Sequence, residues 1–324
     1  MKAPTRLPVV GPAAVILLGV LSALLVACGG SASPAETVTL QLNWFHEAEF
    51  VGYYVADAKG FYAANDLDVV ILEGGPGEPA KDHVLNNTAD FAISSFSEQK
   101  DLVAGNQPTV AVMAAFQIPP LVIFSLADSG IKDPTDLQGK RVGVTTDYWS
   151  KVLHQTLSAA GVGAGSITEV KVEADNLDPL YNHEVDAWLG YAQDEPIEAQ
   201  VSGHAVNNIF PADYGVGGYE GLVLANESTI EQRPDMVRRF VDASEQGWRY
   251  ALEHPDEAAQ ILDHVAPGNG LEFQKLAMRA VGPLVDTPQA PVGWIDAARW
   301  QQLMGDVYPS DRPGFTMEFS GSGR

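Results

Sequence analysis

The stretch from Val38 to Leu72, VTLQLNWFHEAEFVGYYVADAKGFYAANDLDVVIL, constrains the fold more than any other part of the chain. Val38, Leu40 and Leu42 alternate with Thr37, Thr39 and Gln41, the period of a strand with one buried face, and Asn43-Trp44 ends it. The period then changes. Val51, Tyr54, Val55, Ala58 and Tyr62 fall on one apolar stripe of a helix, closed by Gly60 and Asn65-Asp66. Val69-Val70-Ile71-Leu72 is a continuous apolar run ahead of Gly74-Gly75-Pro76-Gly77, the pattern of a parallel strand buried on both faces. This is a β-α-β unit, and such units bind ligands beyond the carboxyl ends of their strands. Asn43, Trp44 and Phe45 are therefore expected at the mouth of a pocket.

The alternation continues along the chain. A short helix is expected over 79–87, a strand over 89–94, a helix over 98–104, and a buried parallel strand at Thr109 to Phe116. A second copy of the opening logic follows, with strands at Leu121 to Leu126, Arg141 to Val144, Ile167 to Val172 and Asp186 to Tyr191. Between them Thr145-Thr146-Asp147 can cap a helix with Val152, Leu153, Thr156 and Leu157 on its apolar stripe, and 177–184 reads as another helix. Two similar halves imply an α/β protein of two doubly wound lobes with a cleft between them. Ala205 to Phe210 and Tyr219 to Leu224 are expected to carry the chain back to the first lobe. The remainder is helical, led by Pro234 and a stripe of Val237, Phe240, Val241, Ser244, Trp248 and Ala251.

Lys2 and Arg6 precede an apolar run that ends in Leu25-Val26-Ala27-Cys28, the charged start, apolar middle and small-residue end of a secretory signal. Cys28 is the single cysteine and directly follows the expected cleavage point, where lipid attachment needs a thiol. Residues 1–27 are thus expected to be a lipoprotein signal peptide and 28–36 a lipid-anchored flexible tether to the cell membrane, facing the outside. One cysteine leaves no intramolecular disulfide and no thiolate metal cluster. A formal net charge of -23 argues against a nucleic-acid partner, because phosphate binding needs clustered Lys and Arg. The chain has no G-x-S-x-G, H-E-x-x-H, P-loop or C-x-x-C motif, so no catalytic residue, metal or cofactor is expected.

Several segments resemble a known family: LNWFHEAEFVGYYVADAKGFYAANDLDVVILEGG, ADFAISS, DSGIKDPTDLQGKRVGV, EVDAWLGYAQDEP and RPDMVRRFVDASEQGWRYALEHPDEAAQIL. They look like the substrate-binding lipoproteins of bacterial ABC importers in the thiamine-pyrimidine group. The form EFVGYYVADAKGFY followed by VVILEGGPG looks most like the branch that includes riboflavin binders. The resemblance implies the two-lobed periplasmic-binding fold (type II), with lobe 1 at 37–118 and 223–324 and lobe 2 at 119–222. It implies partnership with an ABC permease and its ATPase, and a planar heterocycle as ligand: riboflavin, or alternatively a thiamine pyrimidine precursor. The wider family also includes pyrimidine-synthesising enzymes that carry a cysteine-rich segment, which this chain lacks, and catalysis is not expected.

Six strips should face the cleft: 43–49, 94–99, 116–121, 145–150, 191–195 and 214–219. None contains Lys or Arg, so a neutral or weakly cationic ligand is expected, because a desolvated anion needs charged partners. Trp44, Phe45, Phe96, Tyr148, Trp149, Tyr191 and Tyr214 offer flat faces for a ring. Asn43, Ser94, Ser95, Gln117, Thr145, Gln193, Asp194 and Glu195 could read its edge or a polyol. Competing structural roles are open for some of them: Trp44 as packing, Asp194 and Glu195 as caps of the next helix. His46 reads as a solvated loop residue, and Trp188, Trp248, Trp294 and Trp300 as packing.

Overall fold

The computed structural model describes residues 34–321 except 175 and 310. The expected signal peptide, Cys28 and most of the tether lie outside the described residues. Glu36, expected at the end of the tether, is instead the first residue of a strand and is held by ion pairs to Arg233 and Arg239.

Ten strands form two five-stranded sheets. The first half contains β1 (Glu36–Gln41), β2 (Leu67–Leu72), β3 (Phe91–Ser94) and β4 (Thr109–Phe116). The second contains β5 (Leu121–Leu126), β6 (Arg141–Val144), β7 (Thr168–Lys171), β8 (Ala187–Tyr191) and β9 (Val206–Ile209), after which β10 (Glu220–Asn226) returns. The orders are β2-β1-β3-β10-β4 and β7-β6-β8-β5-β9, so the two sheets repeat one plan. In each, a parallel core of three strands is joined by one antiparallel strand at a crossing between halves: β10 against β3 and β4, β5 against β8 and β9.

Twelve α-helices connect these strands among the described residues. They are α1 (Val51–Ala58), α2 (Phe61–Ala64), α3 (Ala80–Leu85) and α4 (Phe96–Ala104) in the first half, and α5 (Asp147–Ala159), α6 (Asp178–Tyr181) and α7 (Glu195–Val201) in the second. The C-terminal part supplies α8 (Glu227–Gln232), α9 (Pro234–Glu253), α10 (Pro255–Val265), α11 (Gly270–Val285) and α12 (Ala297–Met304). Pro234 opens α9, and Val237, Phe240, Val241, Ser244, Trp248 and Ala251 are all buried as their spacing implies. The α9 stripe lies on the first sheet: Phe240 stacks on Phe91 at 4.0 Å between centroids. It also crosses α1 with almost no space, because a Cβ on Gly52 would sit 2.2 Å from the Trp248 ring. Helix α11 packs on α7 and on the turn Ala48–Phe50 that enters α1.

Several sequence expectations are corrected. Val69 to Leu72 is not buried on both faces: β2 is the edge strand, and Val70 is 40% exposed. Thr109 to Phe116 is buried, but its ladder is antiparallel, since its neighbour is the returning β10. Residues 205–210 stay in the second sheet as β9, paired with β5, while β10 as a whole joins the first, ahead of the expected division between 222 and 223. The 177–184 helix is the single turn α6. The opening helix breaks at Gly60, which takes φ +72°, a backbone region open to glycine, and Ala58 is exposed at its end.

Candidate functional site

The loops that leave β1, β6 and β8 meet in one cavity of about 690 Å³ between the two sheets. Asn43 and Trp44 come from the first loop, Thr145 from the second, and Tyr191, Asp194 and Glu195 from the third. Parallel strands put these loops at one end of each sheet, so the sequence spacing of strand ends becomes a ring of side chains around a cleft.

Local structure fixes most of the ring. Thr146 caps α5, its hydroxyl accepting from the Trp149 amide, which places Trp149 in the first turn of the helix. The Trp149 indole, 8% exposed, meets the Tyr191 ring edge-on at 5.2 Å. Glu195 opens α7 and turns back so that its Oε2 accepts from the Tyr191 amide at 2.8 Å, tying the end of β8 to the helix. Across the cavity, the Gln41 amide donates to the carbonyls of Leu42 and Glu73 and holds the exit of β1. Trp44 lies at the mouth, 38% exposed, with Phe45 edge-on against it at 5.4 Å.

Glu47 and Glu49, absent from the sequence-based candidates, also line this cavity. Glu49 sits in the turn Ala48–Phe50 and is 4% exposed, with Oε1 lacking any hydrogen-bond partner. Asn43 Oδ1 is likewise buried and unpartnered. Burial pushes the Glu49 carboxyl up to about 7, with a hydrogen bond to Glu47 acting the other way. Glu47 is pushed well above the usual carboxylate range by burial, then by the charges of Asp194 and Glu49. Glu195 rises to about 8, again through burial and then the Asp194 charge. Glu220, buried where β10 begins, is raised by burial and by Glu49. The cleft is therefore an acceptor-rich enclosure in which Glu47, Glu49 and Glu195 keep their protons to higher pH than free carboxyls do. No Lys or Arg among the described residues lines it.

The other candidates are placed elsewhere. Phe96, Tyr148 and Tyr214 line a second cavity of about 440 Å³, together with Glu220. The Tyr214 hydroxyl donates to Asp133. Ser94 donates to the Glu98 carboxylate, and Ser95 caps α4, so both hydroxyls are engaged within the first half. Gln117 is buried at the crossing between sheets, its amide donating to the Trp294 carbonyl at 2.9 Å. Gln193 is buried beside the cavity without lining it, and neither of its amide atoms has a partner. His46 pairs with the Tyr54 hydroxyl rather than standing free. Trp188, Trp248 and Trp300 are fully buried packing.

Among the described residues no cluster of His, Cys, Asp and Glu is arranged to hold a metal ion, and no helix is long and apolar enough to cross a membrane.

The fold is that of the periplasmic binding proteins. The aliphatic sulphonate binding protein SsuA of Escherichia coli superposes with a TM-score of 0.68 at 16% identity, covering 86% of this chain and 88% of that one. In sequence, the riboflavin-binding protein RibY of Chloroflexus aurantiacus is 27% identical over 88% of this chain and 89% of its own length. The formylaminopyrimidine-binding protein of Halalkalibacterium halodurans is 27% identical over 83% of this chain and 84% of its own. A 4-amino-5-hydroxymethyl-2-methylpyrimidine phosphate synthase of Legionella pneumophila is also 27% identical, over 71% and 74%. Residues 47–258 match the NMT1/THI5-like family, and the chain belongs to it.

Proposed function

We propose that this chain is the extracytoplasmic solute-binding component of an ABC importer, lipid-anchored at Cys28, which captures riboflavin and presents it to a permease with its ATPase. One observation carries the reading. A single cavity joins aromatic walls, Trp44, Trp149 and Tyr191, to the unpartnered acceptors Asn43 Oδ1 and Glu49 Oε1. Its volume of about 690 Å³ falls in the range of about 300–1,000 Å³ that small-molecule sites occupy. Flat walls suit an isoalloxazine ring, and free acceptors suit its N–H and the hydroxyls of a ribityl chain. A lining without Lys or Arg disfavours an anion such as the sulphonate named for the Escherichia coli neighbour. Riboflavin is the ligand for which the Chloroflexus relative is named. Because both sheets supply walls, closing the halves on the ligand would tell a permease loaded from empty protein.

The role is binding rather than turnover, since the one cysteine is Cys28 and the cysteine-rich segment of the resembling enzymes is missing. A second reading, a thiamine pyrimidine precursor, is favoured by the carboxyls of Glu47, Glu49 and Glu195, which suit the amino group of an aminopyrimidine. The Halalkalibacterium relative is named for such a ligand. Titrating the purified protein with riboflavin and following flavin fluorescence tests the first reading: quenching that saturates at one equivalent supports it. A thermal shift with the aminopyrimidine and none with riboflavin replaces it with the second.

A further inference from the structure

Among the carboxyls that line the cleft, Glu49 is the buried one, and half-buried Glu47 lies beside it in the chain. Both carboxyls line the cavity two residues apart where the chain turns into α1, and the Glu49 charge is among the causes that hold the Glu47 carboxyl up. Glu49 is 4% exposed and keeps Oε1 unpartnered on the cavity wall, so the pair is an unfinished recognition group.

We propose that Glu49, with Glu47 as its positioning partner, is the specificity-determining group of the cleft, reading an adjacent donor–acceptor edge of the ligand and taking up one proton with it. This inference rests on the capture of a flat nitrogen heterocycle in this cavity. A protonated carboxyl displays one donor beside one acceptor, whereas a carboxylate only accepts. An imide edge, N–H beside C=O, pairs with that display. So does an amino group beside a ring nitrogen. An ionised Glu49 would turn two acceptors towards the acceptor atom of either edge, so the bound complex keeps the proton at a pH where the empty cleft releases it.

The surroundings sustain this. The Glu49 charge reaches Tyr53 and Tyr54 on α1, Tyr148 on α5, Tyr191 on β8 and Glu220 on β10, and acts to raise each of them. Asp194 and Glu195 face Glu47. Helix α11, which packs on the same turn, has Glu272 and Arg279 exposed and Lys275 half-buried. The groups that feel the pair's charge are acids and phenols, and no Lys or Arg among the described residues lines the cavity to neutralise it in place of a proton.

Calorimetry in buffers of different ionisation enthalpy tests the proposal, with riboflavin and a 4-aminopyrimidine as probes. The free carboxyl lies at about 7, so binding at pH 8 should take up about one proton, uptake should vanish at pH 6, and affinity should weaken by up to about tenfold per pH unit above neutrality. Glu49→Gln keeps a donor beside an acceptor without a titrating proton, and should bind with uptake reduced towards zero. Wild-type binding at pH 8 without uptake overturns the inference alone, and that measurement decides even if the variant fails to fold. Equal uptake in Glu49→Gln and wild type also overturns it. Absence of binding by both probes at both pH values overturns it together with the proposed function.

Discussion

Replacing Gly247 by Ala should cost far more than its one methyl group suggests. A Cβ at this position of α9 falls 2.2 Å from the Gly52 carbonyl oxygen and 2.6 Å from the Ala56 Cβ, both on α1. Ordinary contact lies near 3.5 Å, and the obstructing atoms are backbone and a stub side chain, so no rotamer relieves the clash. The helices must separate by about 1 Å at the point where Trp248 packs over Gly52. Overpacking of this kind costs about 3 kcal/mol at its upper end, offset by about 0.5–1 kcal/mol from the better helix propensity of Ala. The net loss is then about 2 kcal/mol, or about 3 °C in Tm for a folded region of this size. Gly163→Ala is the control: φ -71° and ψ 133° suit any residue, and nothing lies within 4 Å of the added carbon. It should be neutral or stabilising by up to about 1 kcal/mol. Thermal and urea unfolding of both variants check the pair. Gly247→Ala melting with wild type, or Gly163→Ala melting as low as Gly247→Ala, would refute the reasoning.

Other outcomes follow from the cleft. Trp44→Ala should leave stability within about 0.5 kcal/mol, because the side chain is 38% exposed, yet weaken ligand binding about 3–10-fold through lost stacking, read by parallel melting and titration. The ligand-free protein should lose stability as pH rises from 5 to 9. Glu49 and Glu195 titrate from near 4.5 when unfolded to about 7 and about 8 when folded. Their contribution is therefore fully present below the unfolded value and is lost as pH climbs through the folded ones. Glu195→Gln should flatten the upper part of that decline in urea titrations, and an unchanged slope would contradict the assignment.

Much of this architecture is legible in the sequence, for physical reasons that also explain the failures. The β1-α1-β2 order follows from a change of hydrophobic period that any local window contains. Whether Val69 to Leu72 sits inside a sheet or at its edge depends on what pairs beyond it, and no partner arrives there. The direction of the β4 ladder is set by β10, more than a hundred residues later in the chain, so local pattern carries no information about it. At the site, strand ends are readable, and Asn43, Trp44, Thr145, Trp149, Tyr191, Asp194 and Glu195 come together as their positions imply. Ser94, Ser95 and Gln117 lie on the expected strips, but neighbours take their hydrogen bonds. Glu47, Glu49 and Glu220 escape a sequence reading because acidic residues near helix starts and strand ends are ordinarily solvated. The available signal was position: Glu49 closes the strip that begins at Asn43.

Ligand capture in the cleft is tested most directly by equilibrium titration of the purified protein with riboflavin and, separately, with a 4-aminopyrimidine, following flavin or tryptophan fluorescence. One of the two should saturate at one equivalent, and Trp44→Ala and Tyr191→Ala should each weaken that ligand. Failure of both to bind, or binding indifferent to both substitutions, would contradict it.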